Sequence, residues 1–465
     1  MRPPMYDSRL VFTVLLTLMS FCASPALFAE SGLGSPPNIL FIVADDLGWG
    51  DVGWHQGYSK TPHMDKLVAE GVELDQHYVQ PVCTPTRTAL MSGRYPGRFG
   101  PQALAPSNLR AMPLGTVTLA TALKSLGYQT YQSGKWHLGA KQEWGPTAYG
   151  FDHGYGTLTG AADPWTHKYR PGPYEDTWHR DGKLLHEEGN ATELVAAEAL
   201  RRIEEKQSPW FIYVPFHAVH TPVDAPDEYQ RLYDGVKFHD DPEKQNSRLR
   251  MAAMVSQLDT KIGQFVAALE QTGQRSHTLI VFTSDNGGIE SLQNAYIGNV
   301  GHSPLNSEND PLRGQKNTLF EGGTRVCAFA NWPGQLAPRK VKTPMHVVDW
   351  FPTIASLVGY KPAIDLQWDG LDQWSTLTGA SQTSNDRTIY IAMKNGNQSL
   401  RHGDWKLIAR KEKAPLLFNI AADPFEKNDL ASAHPEKVAE LEKLRKEQHA
   451  KDQPQLPADL AGLPQ

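Results

Sequence analysis

Asn38-Ile39-Leu40-Phe41-Ile42-Val43 runs without a break into Ala44-Asp45-Asp46. A continuous β-branched and aromatic run of this length suits a central parallel strand covered on both faces. Two more runs repeat the pattern. Thr278-Leu279-Ile280-Val281-Phe282-Thr283 leads into Ser284-Asp285-Asn286-Gly287-Gly288, and Trp210-Phe211-Ile212-Tyr213-Val214 stops before Pro215-Phe216-His217. Helical patterns from Asn190 to Lys206 and from Arg248 to Gln271 lie between them. Strand alternating with helix predicts an α/β fold: a large open, mixed but mostly parallel sheet sandwiched by helices. Ligands gather beyond the carboxyl ends of such strands, where all three runs place polar residues.

Outward from these runs, the chain of 465 residues is 40% hydrophobic and 21% charged. That is an ordinary folded texture, too long for one simple core. The net charge of -6 gives no reason to expect nucleic acid or an anionic membrane as partner. Arg2 and Arg9 precede an apolar run from Leu10 to about Ala26, and Ala29 offers a small residue for cleavage before Glu30. Residues 1–29 therefore read as a signal peptide, the run being short for an uncleaved span. Phe21, bulky ahead of Cys22, argues against lipid attachment. The expected destination is the periplasm or the outside of the cell, without stable membrane association.

Cys83 and Cys327 remain once Cys22 leaves with the signal. Export permits a disulfide between them; if Cys83 is consumed chemically, Cys327 is a small buried thiol. Beyond about Tyr360 the texture changes. Arg387 to Met393, Ser399 to Ala409 and Leu416 to Ile420 read as short antiparallel strands, and Pro435 to Ala450 as a charged helix with Val438, Leu441 and Leu444 on one face. The expected organisation is a catalytic domain over 36–360 and a small C-terminal α+β domain over 361–465.

Chemistry concentrates in Cys83-Thr84-Pro85-Thr86-Arg87, followed by Gly93-Arg94. Thr84 can cap a helix and Pro85 suits its first turn. Cys83 then sits at a helix N-terminus, which favours anions, and Arg87 can reach back over the same end. A buried cysteine beside an ordinary capped helix reads the same way. Asp45, Asp46, Asp285 and Asn286 offer only oxygen ligands from two strand ends. Hard oxygen donors select calcium or magnesium over zinc, and a carboxylate-rich cage with an amide favours calcium. Either pair alone is compatible with a turn or helix cap; two pairs, each ending an apolar strand, point to one metal ion.

Cys-x-Pro-x-Arg with the following Gly-Arg resembles the signature of the formylglycine-dependent sulfatases. Ala44-Asp45-Asp46-Leu47-Gly48, Gly134-Lys135-Trp136-His137-Leu138-Gly139, His217-Ala218-Val219-His220-Thr221-Pro222, Ser284-Asp285-Asn286-Gly287 and Arg313-Gly314-Gln315-Lys316 match family blocks in family order. Leu417-Phe418-Asn419-Ile420 with Asn428-Asp429-Leu430 is similar to the family's C-terminal signature. The match spans about 36 to 450, and arylsulfatase B-like members are the nearest in kind. It implies the alkaline phosphatase-like form of the α/β fold and oxidation of Cys83 to formylglycine by a maturing enzyme. It also implies one Ca2+ on Asp45, Asp46, Asp285, Asn286 and residue 83.

The implied mechanism begins with a hydrated aldehyde at residue 83 attacking sulfur while calcium, Lys135 and Lys316 hold the sulfate oxygens. His220, with Lys316, steadies the bridging oxygen and protonates the leaving alcohol, and His137 takes a proton as sulfate is expelled. His220 is preferred to His217 as the acid because it directly precedes Thr221-Pro222. Three carboxylates against one divalent ion, Arg87, Lys135 and Lys316 leave about two positive charges for an anionic substrate.

The expected substrate is a sulfated saccharide, a hexose or hexosamine ending a polymer. Gly150 to His167 resembles arylsulfatase B relatives, which makes the 4-sulfate of N-acetylgalactosamine the leading candidate. The segment Lys168, Tyr169, Arg170, Tyr174, Trp178, His179 and Arg180 offers aromatic faces and cations. The alternatives are a phosphodiesterase or phosphonate hydrolase on the same fold, and a carbohydrate-binding protein with a dead site.

Overall fold

The computed structural model describes residues 35–291, 304–380 and 386–463; the expected signal peptide, with Cys22, lies outside them. The strands in chain order are β1 (Asn38–Ala44), β2 (Val72–Leu74), β3 (His77–Tyr78), β4 (Gln129–Lys135), β5 (His153–Thr157), β6 (Trp178–Arg180), β7 (Lys183–Leu184) and β8 (Trp210–Pro215). They continue as β9 (Thr278–Ser284), β10 (Ala328–Asn331), β11 (Arg339–Val341), β12 (Met345–His346), β13 (Thr388–Ala392), β14 (Gln398–His402), β15 (Trp405–Ala409) and β16 (Leu416–Asn419). Among the described residues the large sheet has ten strands, in the order β11-β2-β10-β9-β1-β8-β4-β5-β6-β7. Its centre, β9-β1-β8-β4-β5, is parallel throughout.

The three apolar runs are these central strands, and the packing explains why they do not alternate with polar residues. Side chains of successive strand residues point to opposite faces. Ile39, Phe41 and Val43 pack with Ala89, Leu90, Leu123, Phe351 and Ile354 on one face. Leu40, Ile42 and Ala44 pack with Val195, Ala199, Val255, Leu258 and Ile262 on the other. Both faces are therefore dry, the condition for a fully apolar parallel strand.

The long helix on the second face spans Pro242–Gln271 and so starts earlier than the expected Arg248. Asp241 accepts hydrogen bonds from Glu243 N and Lys244 N, and Pro242 takes the first helical position, where its missing N–H costs nothing. Strands β13 to β16 form the expected antiparallel sheet. The helix Pro435–His449 covers its Leu400, Leu407 and Leu417 with Leu441, flanked by Val438 and Leu444. The opposite face meets Tyr78 and Leu319 through Ile389, Ile391, Ile408 and Phe418. Lys406 adds a buried ionic tie, 2.7 Å from Glu321 and 2.9 Å from Glu426. Among the described residues no helix is long and apolar enough to cross a membrane.

Candidate active site

Parallel register brings the two acidic pairs together. Ala44 of β1 is opposite Ser284 of β9, so Asp45 and Asp285 leave neighbouring strands side by side. Asp46 N donates to Asp285 Oδ1 at 3.3 Å, and Leu47 N donates to Ser284 Oγ at 3.1 Å. Asp45, Asp46, Asp285 and Asn286 are all buried.

Each of the three carboxylates has its own cation. Lys135 Nζ lies 2.6 Å from Asp45 Oδ2, Lys316 Nζ 2.5 Å from Asp46 Oδ1, and Arg87 Nη2 2.8 Å from Asp285 Oδ2. Burial opposes the charge on Asp46, but Lys316, His220 and Lys135 outweigh it and hold the carboxyl below its usual range. Burial and the adjacent Asp45 push Asp285 the other way, to about 6, against Arg87 and Lys135.

Three oxygens in this cluster are buried without a partner: Asp45 Oδ1, Asp46 Oδ2 and Asn286 Oδ1. The Asn286 amide is oriented by its Nδ2, which donates to Asp46 Oδ1 at 2.7 Å and to Gly287 O at 3.0 Å. Buried acceptors left unpaired are costly. A cation supplies what all three lack, and a donor set of carboxylate and amide oxygens suits a hard one. The residues present therefore fit a bound metal ion. His220 is also close, with Nε2 3.6 Å from Asp46 Oδ2.

Cys83 begins the helix Cys83–Ser92, and Val82 occupies the cap with an extended φ of -151°. The expected Thr84 cap is not formed; Thr84 Oγ1 instead donates to His137 O at 3.2 Å, tying the helix start to the loop after β4. Arg87 stays within electrostatic reach of Cys83. Its Nη1 donates to Lys135 O at 2.9 Å while Nε and Nη2 grip Asp285. Cys83 and Cys327 are both free, buried thiols, so the disulfide is absent. Burial pushes the Cys83 thiol up, with Lys135 and Lys316 opposing and Asp285 and Asp45 reinforcing. Such a thiol is protonated and a poor nucleophile, though Lys135, Lys316, Asp285 and Asp45 all act on it.

Burial depresses the basicity of all three nearby histidines. His220 falls to about 3, and His137 and His217 go well below the usual value. His220 Nδ1 donates to Thr221 O at 2.6 Å, which leaves Nε2 as the position that exchanges protons on the side of Asp46. His217 Nε2 is engaged by Thr157 Oγ1 at 2.6 Å. His137 has a left-handed φ of 53° and an Nδ1 without a partner.

A family model described as Sulfatase matches residues 37–360. The chain belongs to the sulfatase family. It is accordingly a sulfuric ester hydrolase. It is 33% identical to arylsulfatase J of Mus musculus, over 88% of this chain and 75% of that one. It is also 33% identical to the N-acetylgalactosamine-6-sulfatase of Mus musculus, over 81% and 72% of the two chains. Among solved structures, Ps i-CgsB in complex with k-i-k-neocarrahexaose superposes with a TM-score of 0.80 at 30% identity, covering 90% of this chain and 94% of that one. The sulfatase fold, alkaline phosphatase-like with its small antiparallel C-terminal sheet, is the one expected.

The sulfatase departs from expectation in the segment after Trp165. Trp178 belongs to β6, which pairs with β5, and is 3% exposed. Its ring stacks on His167 with centroids 4.3 Å apart, and its Nε1 donates to Glu187 at 3.0 Å. His179 and Tyr169 are buried too. Lys168 pairs with Glu175 at 3.1 Å, Arg180 with Glu198 at 2.6 Å, and the Arg170 guanidinium lies 4.9 Å from the Tyr169 ring centroid. Trp178, His179 and Tyr169 thus face into the fold, while Lys168 and Arg170 stay exposed at the surface. Trp165 is also 44% exposed, with its indole N–H held by Asp224 Oδ2 at 2.9 Å.

Two contributors to the site escaped the sequence reading. Gly160 backs onto the His137 ring, and a Cβ there would overlap the imidazole. Thr157 engages His217. The only signal was a run of small and hydroxyl residues, Thr157-Leu158-Thr159-Gly160-Ala161-Ala162, which begins with the last residue of β5.

Proposed function

We propose that this enzyme hydrolyses sulfate esters of sulfated saccharides with formylglycine at position 83 and one calcium ion on Asp45, Asp46, Asp285 and Asn286. The observation that carries the reading is the set of three buried, partnerless oxygens on Asp45, Asp46 and Asn286, beside a Cys83 thiol too protonated to attack. Calcium would contribute positive charge that stabilises the sulfate oxygens. Formylglycine would contribute a hydrated aldehyde as the nucleophile.

The chain's own residues do the rest. Lys135 and Lys316, paired with Asp45 and Asp46, are the cations that would hold the sulfate oxygens. Arg87 holds Asp285 and the Lys135 carbonyl in place. His220 keeps Nδ1–H on Thr221 O and presents Nε2, which protonates the leaving oxygen after taking up a proton that the negative charge of a bound sulfate ester favours, and the ring of His137 accepts one as sulfate departs. His217, engaged by Thr157, is held beside these groups.

The saccharide assignment draws on relatives that act, by name, on N-acetylgalactosamine sulfates, and on the oligosaccharide complex of Ps i-CgsB. Trp165 is the exposed aromatic available for stacking. The reading includes export by residues 1–29, encounter with a maturing enzyme, and a division of the chain near residue 360. Peptide mass spectrometry of active protein should show the Cys83 thiol replaced by an aldehyde, and Cys83→Ala should fold and lose turnover. Full activity from unmodified cysteine would sink the mechanism. Turnover of an aryl sulfate but not an aryl phosphate, with a panel of sulfated saccharides, separates this reading from the phosphodiesterase one.

A further inference from the structure

The sheet carries a second basic recess on the same rim as the reaction centre. Strand β10 is antiparallel to β9 and to β2, while β11 is parallel to β2. Strands β2 and β11 therefore run as β9 does, and their carboxyl ends emerge on the edge where Asp285 follows β9. Three strand spacings separate β9 from β11, roughly 14 Å across the rim. There, between the ends of β2 and β11 and the loop after β16, lies a cavity of about 1140 Å³. That exceeds the usual 300–1,000 Å³ of a small-molecule pocket and suits a length of polymer.

Its lining carries four cations, Arg325, Arg339, Lys340 and Lys342, against two carboxylates, Asp75 and Asp404, and Lys340 also reaches Glu73 at 2.8 Å. Asp75 serves two of them, with Arg325 at 3.3 Å and Lys340 at 3.8 Å. Arg339 and Lys342 line the same cavity and, among the described residues, form no ion pair. Arg339 Nε is moreover buried without a hydrogen-bond partner, and its guanidinium lies against Gly379, where a Cβ would collide with it. A planar cation held in place with an unmet donor is a receptor for a sulfate or carboxylate oxygen. Phe425, half-buried in the same lining, offers a ring face for a sugar.

We propose that this recess is an accessory subsite that holds a second anionic sugar of the polymer whose sulfate is being removed, through Arg339 and Lys342. The inference rests on the sulfated-saccharide reading above and adds that chain length is sensed at a distance from the reacting ester. Neither residue touches the reaction centre, so their loss leaves the chemistry of a small substrate intact.

The test compares wild type, Arg339→Ser/Lys342→Ser and the single reversal Lys342→Glu on p-nitrophenyl sulfate and on chondroitin sulfate di- and hexasaccharides. Both variants should lose about tenfold in kcat/KM on the hexasaccharide, mainly in KM, and stay within twofold of wild type on the other two. Hexasaccharide affinity measured by calorimetry should fall by the same factor, a readout that needs no turnover. Unchanged affinity for the hexasaccharide, or an equal fall on all three substrates, overturns the subsite. A wild type that hydrolyses the aryl sulfate yet neither binds nor cleaves the hexasaccharide also overturns it, and leaves the sulfatase assignment standing. Absence of aryl sulfate turnover counts against the proposed chemistry instead, and the calorimetry then decides the subsite.

Discussion

Arg87 donates through both Nε and Nη2 to a single oxygen of Asp285, Oδ2, at 3.2 and 2.8 Å. The other oxygen of Asp285 accepts from Asp46 N. One side chain thus ties the helix that carries Cys83 to the ends of β9 and β1. Both partners are at most 1% exposed, so neither charge has water to fall back on. Removing the cation with Arg87→Met should cost about 3–5 kcal/mol of stability, the penalty for breaking a buried pair. Denaturant unfolding measures it, and a loss below about 1 kcal/mol would show that Asp285 is neutralised some other way.

Calcium should restore stability to a chelated sample as well as activity. A ligand that binds only the folded state stabilises it by about 2.7 kcal/mol at a hundred times its Kd. Thermal melts with and without saturating calcium read this directly. Stoichiometric zinc in active protein, with no calcium, would contradict the oxygen-only ligand set.

Gly160→Ala should damage catalysis far more than folding. The added methyl meets the His137 imidazole from behind, and small misplacements of a reacting group can cost about a hundredfold in rate. A kcat reduced by about that factor, with a melting temperature within a few degrees of wild type, is the expected pair of results. Unaltered kcat would mean that His137 does not move a proton in the rate-determining step.

Acid should destabilise the fold through histidines remote from the chemistry. Burial, with Arg387, lowers His77 to about 3, and His346 is held well below its usual value by burial, Arg387 and His77. Unfolded histidine titrates near 6.5, so between that pH and about 3 the unfolded chain binds protons that the folded chain refuses. Stability is fully present above pH 6.5 and falls as pH drops, by about 1.4 kcal/mol per pH unit for each such group. Unfolding free energies at pH 7, 6 and 5 should show this slope, reduced by one increment in His77→Asn. A flat profile would remove the premise that these rings are neutral.

The central strands were legible because burial on two faces leaves a local mark, an unbroken apolar run. Strand β4 left none: Gln129-Thr130-Tyr131-Gln132-Ser133-Gly134-Lys135 is polar, yet six of its seven residues are buried. Two of its polar side chains find partners distant in sequence, Val195 O for Ser133 Oγ and Asp45 for Lys135 Nζ. The metal-side acids were readable from their place at strand ends. Arg87 was identified as a site residue, but its partner Asp285 lies 198 positions away, beyond any helical spacing. Trp178 shows the converse failure. Composition marks an aromatic residue but not which way it faces, and pairing of β6 with β5 turned this one inward.

The register that sets Ala44 opposite Ser284 also dictates when the ion site can exist. Asp46 and Asp285 are 239 residues apart in the chain, so a growing polypeptide has only half of the proposed ligands until β9 has been synthesised and inserted beside β1. An ion held by both pairs is therefore a keystone: it cannot guide early folding, and it locks an arch already closed. Calcium affinity followed during refolding should rise together with native signal and never ahead of it.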